Sequence, residues 1–140
     1  MKKSIVLLVT VLLLLSLLAG CSDEDVIEIG ERVFVNQITS IIINSSEYLG
    51  RTIQYEGIFW IADNQGTEHH FVLRYQYDCC GNHGVIGFEL NLDGLAPLPH
   101  DAWVEVVGVL EESAGEALNP VRLRVVSLTE LAERGREIVE

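Results

Sequence analysis

Residues 51–61 read RTIQYEGIFWI, and this stretch decides the fold class. Large side chains recur with a period of two on one face, at Ile53, Tyr55 and Phe59. A period of two is typical of a β-strand, because successive side chains point to opposite sides of the backbone. The stretch therefore predicts a strand that packs one face against a core.

Four further segments repeat the strand pattern downstream. They are rich in β-branched and aromatic residues, are bounded by turn-forming residues, and cover residues 71–77, 85–92, 103–110 and 121–128. Five strands within roughly 80 residues, with a longer connection between the third and the fourth, are typical of the OB-fold, a small closed barrel. We therefore predict an all-β, five-stranded OB-like barrel over residues 33–128, and a five-stranded sandwich is the competing architecture.

The segments on either side of the strands are less regular. Around Ile38 and Ile41 the β-branched residues favour an extended segment, whereas their spacing from Phe34 is that of a helix, so both interpretations stay open. Residues 129–140 predict a polar C-terminal tail or a short helix.

The N-terminus has the features of an export signal. Lys2 and Lys3 precede an apolar run over residues 5–19, which is shorter than the roughly 20 residues that a membrane-spanning helix needs. The run ends in Leu18-Ala19-Gly20-Cys21, which resembles a bacterial lipobox. An uncleaved membrane anchor is the alternative interpretation.

The position of the lipobox predicts how the chain before the barrel is divided. We predict a lipoprotein signal peptide over residues 1–20, a lipidated (palmitoylated) Cys21 and an acidic tether over residues 21–32. The protein is then expected on the extracytoplasmic face of the cell membrane, held there by its lipid anchor.

The charge of the chain excludes several classes of function. The chain has 21 Asp and Glu against 9 Lys and Arg, for a formal net charge of −12, and no lysine follows Lys3. Binding to nucleic acid needs clustered basic residues, so no nucleic-acid partner is expected. The sequence also has no Gly-rich phosphate loop, no Gly-x-Ser-x-Gly and no His-Glu-x-x-His motif. We therefore predict that the protein is not an enzyme, with thiol redox chemistry as the one enzymatic alternative.

A cysteine-rich turn is the strongest candidate for a chemical site. Cys79 and Cys80 are adjacent, and His83 follows Cys80 at a spacing that lets a tight turn surround a soft metal ion. Thiolate and imidazole ligands favour zinc or copper, with zinc preferred here. Two alternatives stay open: a Cys79–Cys80 disulfide, in keeping with an oxidising compartment, or two buried small side chains.

Two other sets of residues compete with this turn. A hairpin centred on Gly81 would place His69 and His70 about 30 Å from the cysteines, too far for one metal site, so these histidines are interpreted as surface residues. The tyrosines Tyr55, Tyr75 and Tyr77 offer a binding face for a protein or a glycan that needs no metal.

The order of several short motifs resembles the C-terminal domain of the YcgQ-like family of bacterial membrane-associated proteins. The motifs are Tyr48-Leu49-Gly50-Arg51, Gln54-Tyr55-Glu56-Gly57, Phe71-Val72-Leu73-Arg74, Cys79-Cys80 and the stretch from Trp103 to Gly108. The resemblance implies an OB-like barrel and an association with a permease that transports zinc or another metal. This chain differs in having a lipobox where the family usually has transmembrane helices, and Asn82-His83 where the family has an Asp after the cysteines.

Together these observations give three hypotheses for the function. The first is a lipid-anchored protein that binds a transition metal through Cys79, Cys80 and His83 and acts with a permease. The second is a metal-free module that binds a protein or a glycan, and the third is a thiol redox protein.

Overall fold

The computed structural model of the protein describes residues 26–77, 80–114 and 119–140. Strands form 52% of the described residues and helices 16%, so the expected all-β class is broadly confirmed. In chain order the described elements are β1 (Ile27–Glu28), α1 (Phe34–Ile43), α2 (Ser45–Tyr48), β2 (Thr52–Asn64), β3 (Thr67–Tyr77), β4 (His83–Asn91), β5 (Trp103–Glu112), β6 (Val121–Glu130) and β7 (Ile138–Val139). The strands β2 to β6 correspond to the five predicted strands.

Strands β2 to β6 pair in a ring. The order around the ring is β2, β5, β6, β4, β3 and back to β2, and among the described pairs of the ring only β4 with β6 is parallel. The predicted hairpin of β3 and β4 is present, with Tyr77 opposite His83 and His70 opposite Leu90. This register is centred on Cys80, one residue before the predicted centre at Gly81.

β2 closes the ring because it is long enough to pair with two strands. Its first half pairs with β5 as far as Ile58, and from Ile58 onward it pairs with β3. Between the start of β2 and Ile58, the strands β2 and β3 separate and are not paired. The short strand β1 then adds to β2 at Ile53, and the short strand β7 adds to β3 at Tyr75, both in parallel.

The core fills the inside of the ring, and α1 covers it. Phe34, Ile38 and Ile41 are buried at helical spacing, whereas Ile43 on the opposite side of the helix is 74% exposed. Burial of one helical face therefore overrides the β preference of the isoleucines, which settles the ambiguity of the sequence in favour of a helix. The Phe34 ring packs edge-on against Tyr55, with 5.5 Å between ring centroids.

Both ends of the described chain belong to the fold, contrary to the sequence-based boundaries. Residues 27–32, assigned to the tether, contain β1 and most of a 3₁₀ helix (Glu31–Val33), and Ile29 is buried. Residues 129–140 form neither a helix nor a loose tail, because β6 continues to Glu130 and Val139 in β7 is buried. No helix within the described ranges is both long and apolar enough to cross a membrane; the predicted signal peptide and Cys21 lie outside those ranges.

Candidate functional site

The predicted metal site lies at the turn between β3 and β4. Cys80 and His83 are both exposed there, and Gly81 turns the chain with a φ of +79°. The Tyr77 ring contacts His83 edge-on, with 4.5 Å between centroids. Cys79 lies outside the described residues, and the described ranges contain no group of three or more His, Cys, Asp or Glu side chains that could hold a metal ion.

The other three histidines lie away from the turn, and each contacts a different neighbour. His69 Nδ1 lies 2.8 Å from Glu89 Oε1, His70 stacks against Phe59, and His100 Nδ1 accepts a hydrogen bond from a backbone amide of β2. The part of β3 from His70 to Tyr77 separates His70 from the turn by about 23 Å. The structure therefore does not bring these histidines to the cysteine turn.

Tyr55 occupies a different position from the other two predicted tyrosines. It is 2% exposed and lies inside the ring, where its hydroxyl donates to the Val72 carbonyl (2.8 Å) and accepts from the Phe88 amide (3.2 Å). Burial raises the pKa of Tyr55 well above its ordinary value. The predicted binding face therefore loses Tyr55, which is a core residue, and keeps Tyr75 and Tyr77 on the outer side of β3.

The outer side of β2, β3 and β4 carries an apolar groove of about 280 Å³. Cross-strand pairing builds it, because Trp60 lies opposite Phe71 and Tyr75 lies opposite Val85. Its lining is almost wholly apolar and consists of Trp60, Ala62, Phe71, Leu73, Tyr75 and Val85. Val85 is 61% exposed, so the groove is open to a partner. We call this surface the apolar groove.

A second cavity, which we call the Arg74 pocket, lies where β1 adds to β2. Its volume is about 430 Å³, and its lining is Glu28, Ile29, Gly30, Glu31, Gln54, Tyr55, Glu56, Arg74 and Glu105. Arg74 is 2% exposed, and burial lowers the pKa of its guanidinium. The Arg74 Nε donates to the Glu56 carbonyl (2.7 Å), so this side chain bonds a backbone group of β2 at the point where β3 has separated from it.

The sequence-based site predictions did not include Arg74, and of the residues that line the apolar groove they named only Tyr75. The alternation of residues 71–77 contains a signal for Arg74, since it places this arginine on the same side as the buried Val72. An arginine on a core face needs a partner, which marks the position as unusual. No comparable signal identifies Trp60, because both faces of β2 carry large apolar residues.

Comparison with known families identifies the family of the chain. It matches the DUF1980 C-terminal domain over residues 16–136 and belongs to that family. The match is consistent with the resemblance to the YcgQ-like family. No curated protein matches the chain.

Proposed function

From this family membership and the surfaces described above, we propose that the protein is a lipid-anchored extracytoplasmic binding domain that acts with a permease-type membrane protein. Its fold is an OB-like barrel, since five strands in a ring with one parallel closing pair fit that architecture. The proposal assigns the protein a binding role and no catalytic one.

The length of the tether supports a partner in the membrane. Val26, the first described residue, lies five positions after Cys21, and five positions span at most about 18 Å even when fully extended. A lipid on Cys21 would therefore hold the domain close to the bilayer. β1 pairs with the beginning of β2, the same end of the sheet as the turn between β3 and β4, so this end is the one nearest the membrane.

The observation that carries the proposal is the apolar groove. Its aromatic side chains and the exposed Val85 suit an apolar segment of a protein partner. A glycan is a poorer occupant, because the lining offers almost no hydrogen-bonding groups for its hydroxyls. A bare lipid surface is also a poorer occupant, since a net charge of −12 is repelled by anionic headgroups.

Photo-cross-linking tests this assignment. With p-benzoylphenylalanine in place of Val85, irradiation of intact cells is expected to join the full chain to an integral membrane protein of permease type, identified by mass spectrometry. The same residue in place of Val126, which is 58% exposed on β6, is the matched control and is expected to give less than about a tenth of that product. Adding Trp60→Ala to the Val85 probe is expected to reduce the product by a similar factor.

Equal cross-linking from both positions would contradict a partner at the apolar groove, and so would a product that contains no membrane protein. A product unchanged by Trp60→Ala would show that the contact does not use the groove.

The turn between β3 and β4 supports a second candidate function, zinc binding. The favouring observation is that Cys80 and His83 are exposed on the same turn, where thiolate and imidazole could join Cys79. Full-length protein purified in detergent is then expected to hold about one zinc ion per chain by elemental mass spectrometry, and Cys80→Ser is expected to remove it. The control His69→Gln, on the distant part of β3, is expected to keep the metal.

Metal that stays in the Cys80→Ser protein would contradict a zinc site at the turn. A metal-free chain that is two hydrogen atoms lighter under non-reducing conditions would instead support the Cys79–Cys80 disulfide and a redox function.

A further inference from the structure

The Arg74 pocket combines one buried cation with several carboxylates. Four glutamates and one arginine line it, and it shares no lining residue with the apolar groove. Because acidic side chains outnumber the basic one, a simple anion is disfavoured. Because a guanidinium forms part of the wall, a simple cation is disfavoured as well.

Arg74 is held rigidly and has unused hydrogen-bonding capacity. Its guanidinium carbon lies 4.6 Å from the centroid of the Phe34 ring and 5.0 Å from that of Trp103, so two aromatic rings fix the guanidinium. Among the described residues the buried Nη1 has no hydrogen-bond partner, and Oε1 of Glu31 lies 3.9 Å away. A buried donor without an acceptor is costly, which points to an oxygen atom of a ligand.

The glutamates of the pocket, in contrast, favour a positively charged group in the ligand. Glu56 and Glu105 lie directly opposite each other on β2 and β5, a like-charge pair that is unfavourable unless a cation lies beside it. Each carboxylate is oriented by one hydrogen bond, Glu56 Oε2 from Trp103 Nε1 (3.2 Å) and Glu105 Oε2 from Gln54 Nε2 (2.9 Å). A carboxylate accepts several hydrogen bonds, so both can also bind an ammonium group.

We propose that the Arg74 pocket binds a small zwitterion, a free α-amino acid. Its carboxylate accepts from Arg74 Nη1, and its ammonium group lies between Glu56 and Glu105. The Glu31 side chain, 51% exposed and with Oε1 3.9 Å from Nη1, moves aside when the ligand carboxylate reaches Nη1. A volume of about 430 Å³ is in the range of small-ligand sites. This inference goes beyond the binding partner proposed above and depends on neither the groove nor the lipid anchor.

Matched half-ligands test the proposal. Calorimetric titration of the full chain in detergent with glycine, L-alanine and L-leucine is expected to show saturable binding of at least one of them at millimolar concentration. Propionate lacks the ammonium group of L-alanine and ethylamine lacks its carboxylate, so each is expected to bind at least about tenfold more weakly than the amino acid. Glu105→Gln keeps the shape of the side chain and is expected to weaken amino-acid binding by a similar factor.

The matched control is Glu68→Gln, a 64% exposed glutamate at the other end of β3, which is expected to leave the affinity unchanged. Both variants are on the surface side of strands, so the result does not depend on a core substitution such as Arg74→Leu. The proposal is overturned if none of the three amino acids binds, if a half-ligand binds as tightly as its amino acid, or if Glu105→Gln has no more effect than Glu68→Gln. None of these outcomes bears on cross-linking at the apolar groove.

Discussion

Gly87→Ala is expected to lower the free energy of unfolding by about 3 kcal/mol or more, the upper range for overpacking. Gly87 lies in β4 opposite Leu73 of β3. A Cβ atom at this position would lie 2.1 Å from the Val72 carbonyl oxygen and 2.7 Å from the Leu73 Cα atom. Both are backbone atoms of the neighbouring strand, so no side chain can move to relieve the contact and the β3–β4 pairing itself must shift.

The measurement is urea denaturation followed by circular dichroism, with Gly84→Ala as the control. Gly84 lies three residues earlier in the same strand, is exposed, and would place its Cβ 3.8 Å from the nearest heavy atom. That substitution is expected to change stability by less than about 1 kcal/mol, since it meets ordinary contact distances and only restricts the unfolded chain. Similar denaturation midpoints for the two variants would show that β3 and β4 do not approach each other as closely as described.

Cys21→Ser is expected to abolish lipid attachment completely. In cells fed radiolabelled palmitate the wild-type protein should carry the label and lack residues 1–20, whereas the variant should carry no label and retain them. A version that is exported by an unrelated cleavable signal and begins at Ser22 should appear in the soluble extracytoplasmic fraction. On this proposal the acyl chains supply the binding energy for the lipid bilayer itself, to which the acidic domain adds none.

Cys80→Ser is the control for loss of a thiol elsewhere, and it should keep both the label and the membrane location. Label that persists in the Cys21→Ser protein would disprove acylation at this residue. A wild-type chain that retains residues 1–20 without label would support the alternative of an uncleaved membrane anchor.

Much of the fold was predictable because most of the strands have a strong local signal. Alternation in residues 51–61 and the turn at Gly66 follow from steric rules that act within a few residues. The short strands β1 and β7, of two residues each, have no such signal. They form because the start of β2 and the last part of β3 separate, which leaves backbone groups there to be paired. Such pairing depends on the tertiary structure and is not visible in the local sequence.

The candidate surfaces were harder to predict for a different reason. Alternation divides β2 into two faces, but Tyr55 is on one face and Trp60 is on the other, and both faces bury apolar side chains. The sequence therefore could not tell which aromatic residue faces the inside of the ring. Arg74 belongs to the Phe71–Arg74 motif, yet its contacts with Phe34 and Trp103 join three segments far apart in the chain.

The way in which the ring closes has a consequence for the time that folding takes. β2 and β5 pair Ile58 with Trp103, and β4 and β6 pair Leu90 with Leu123. These contacts join distant parts of the chain. The chain must therefore lose conformational entropy in closing long loops before it gains the energy of strand pairing. Domains dominated by such contacts fold in milliseconds to seconds. For the exported lipoprotein proposed above, this delay would leave the chain less chance to fold before it has crossed the membrane.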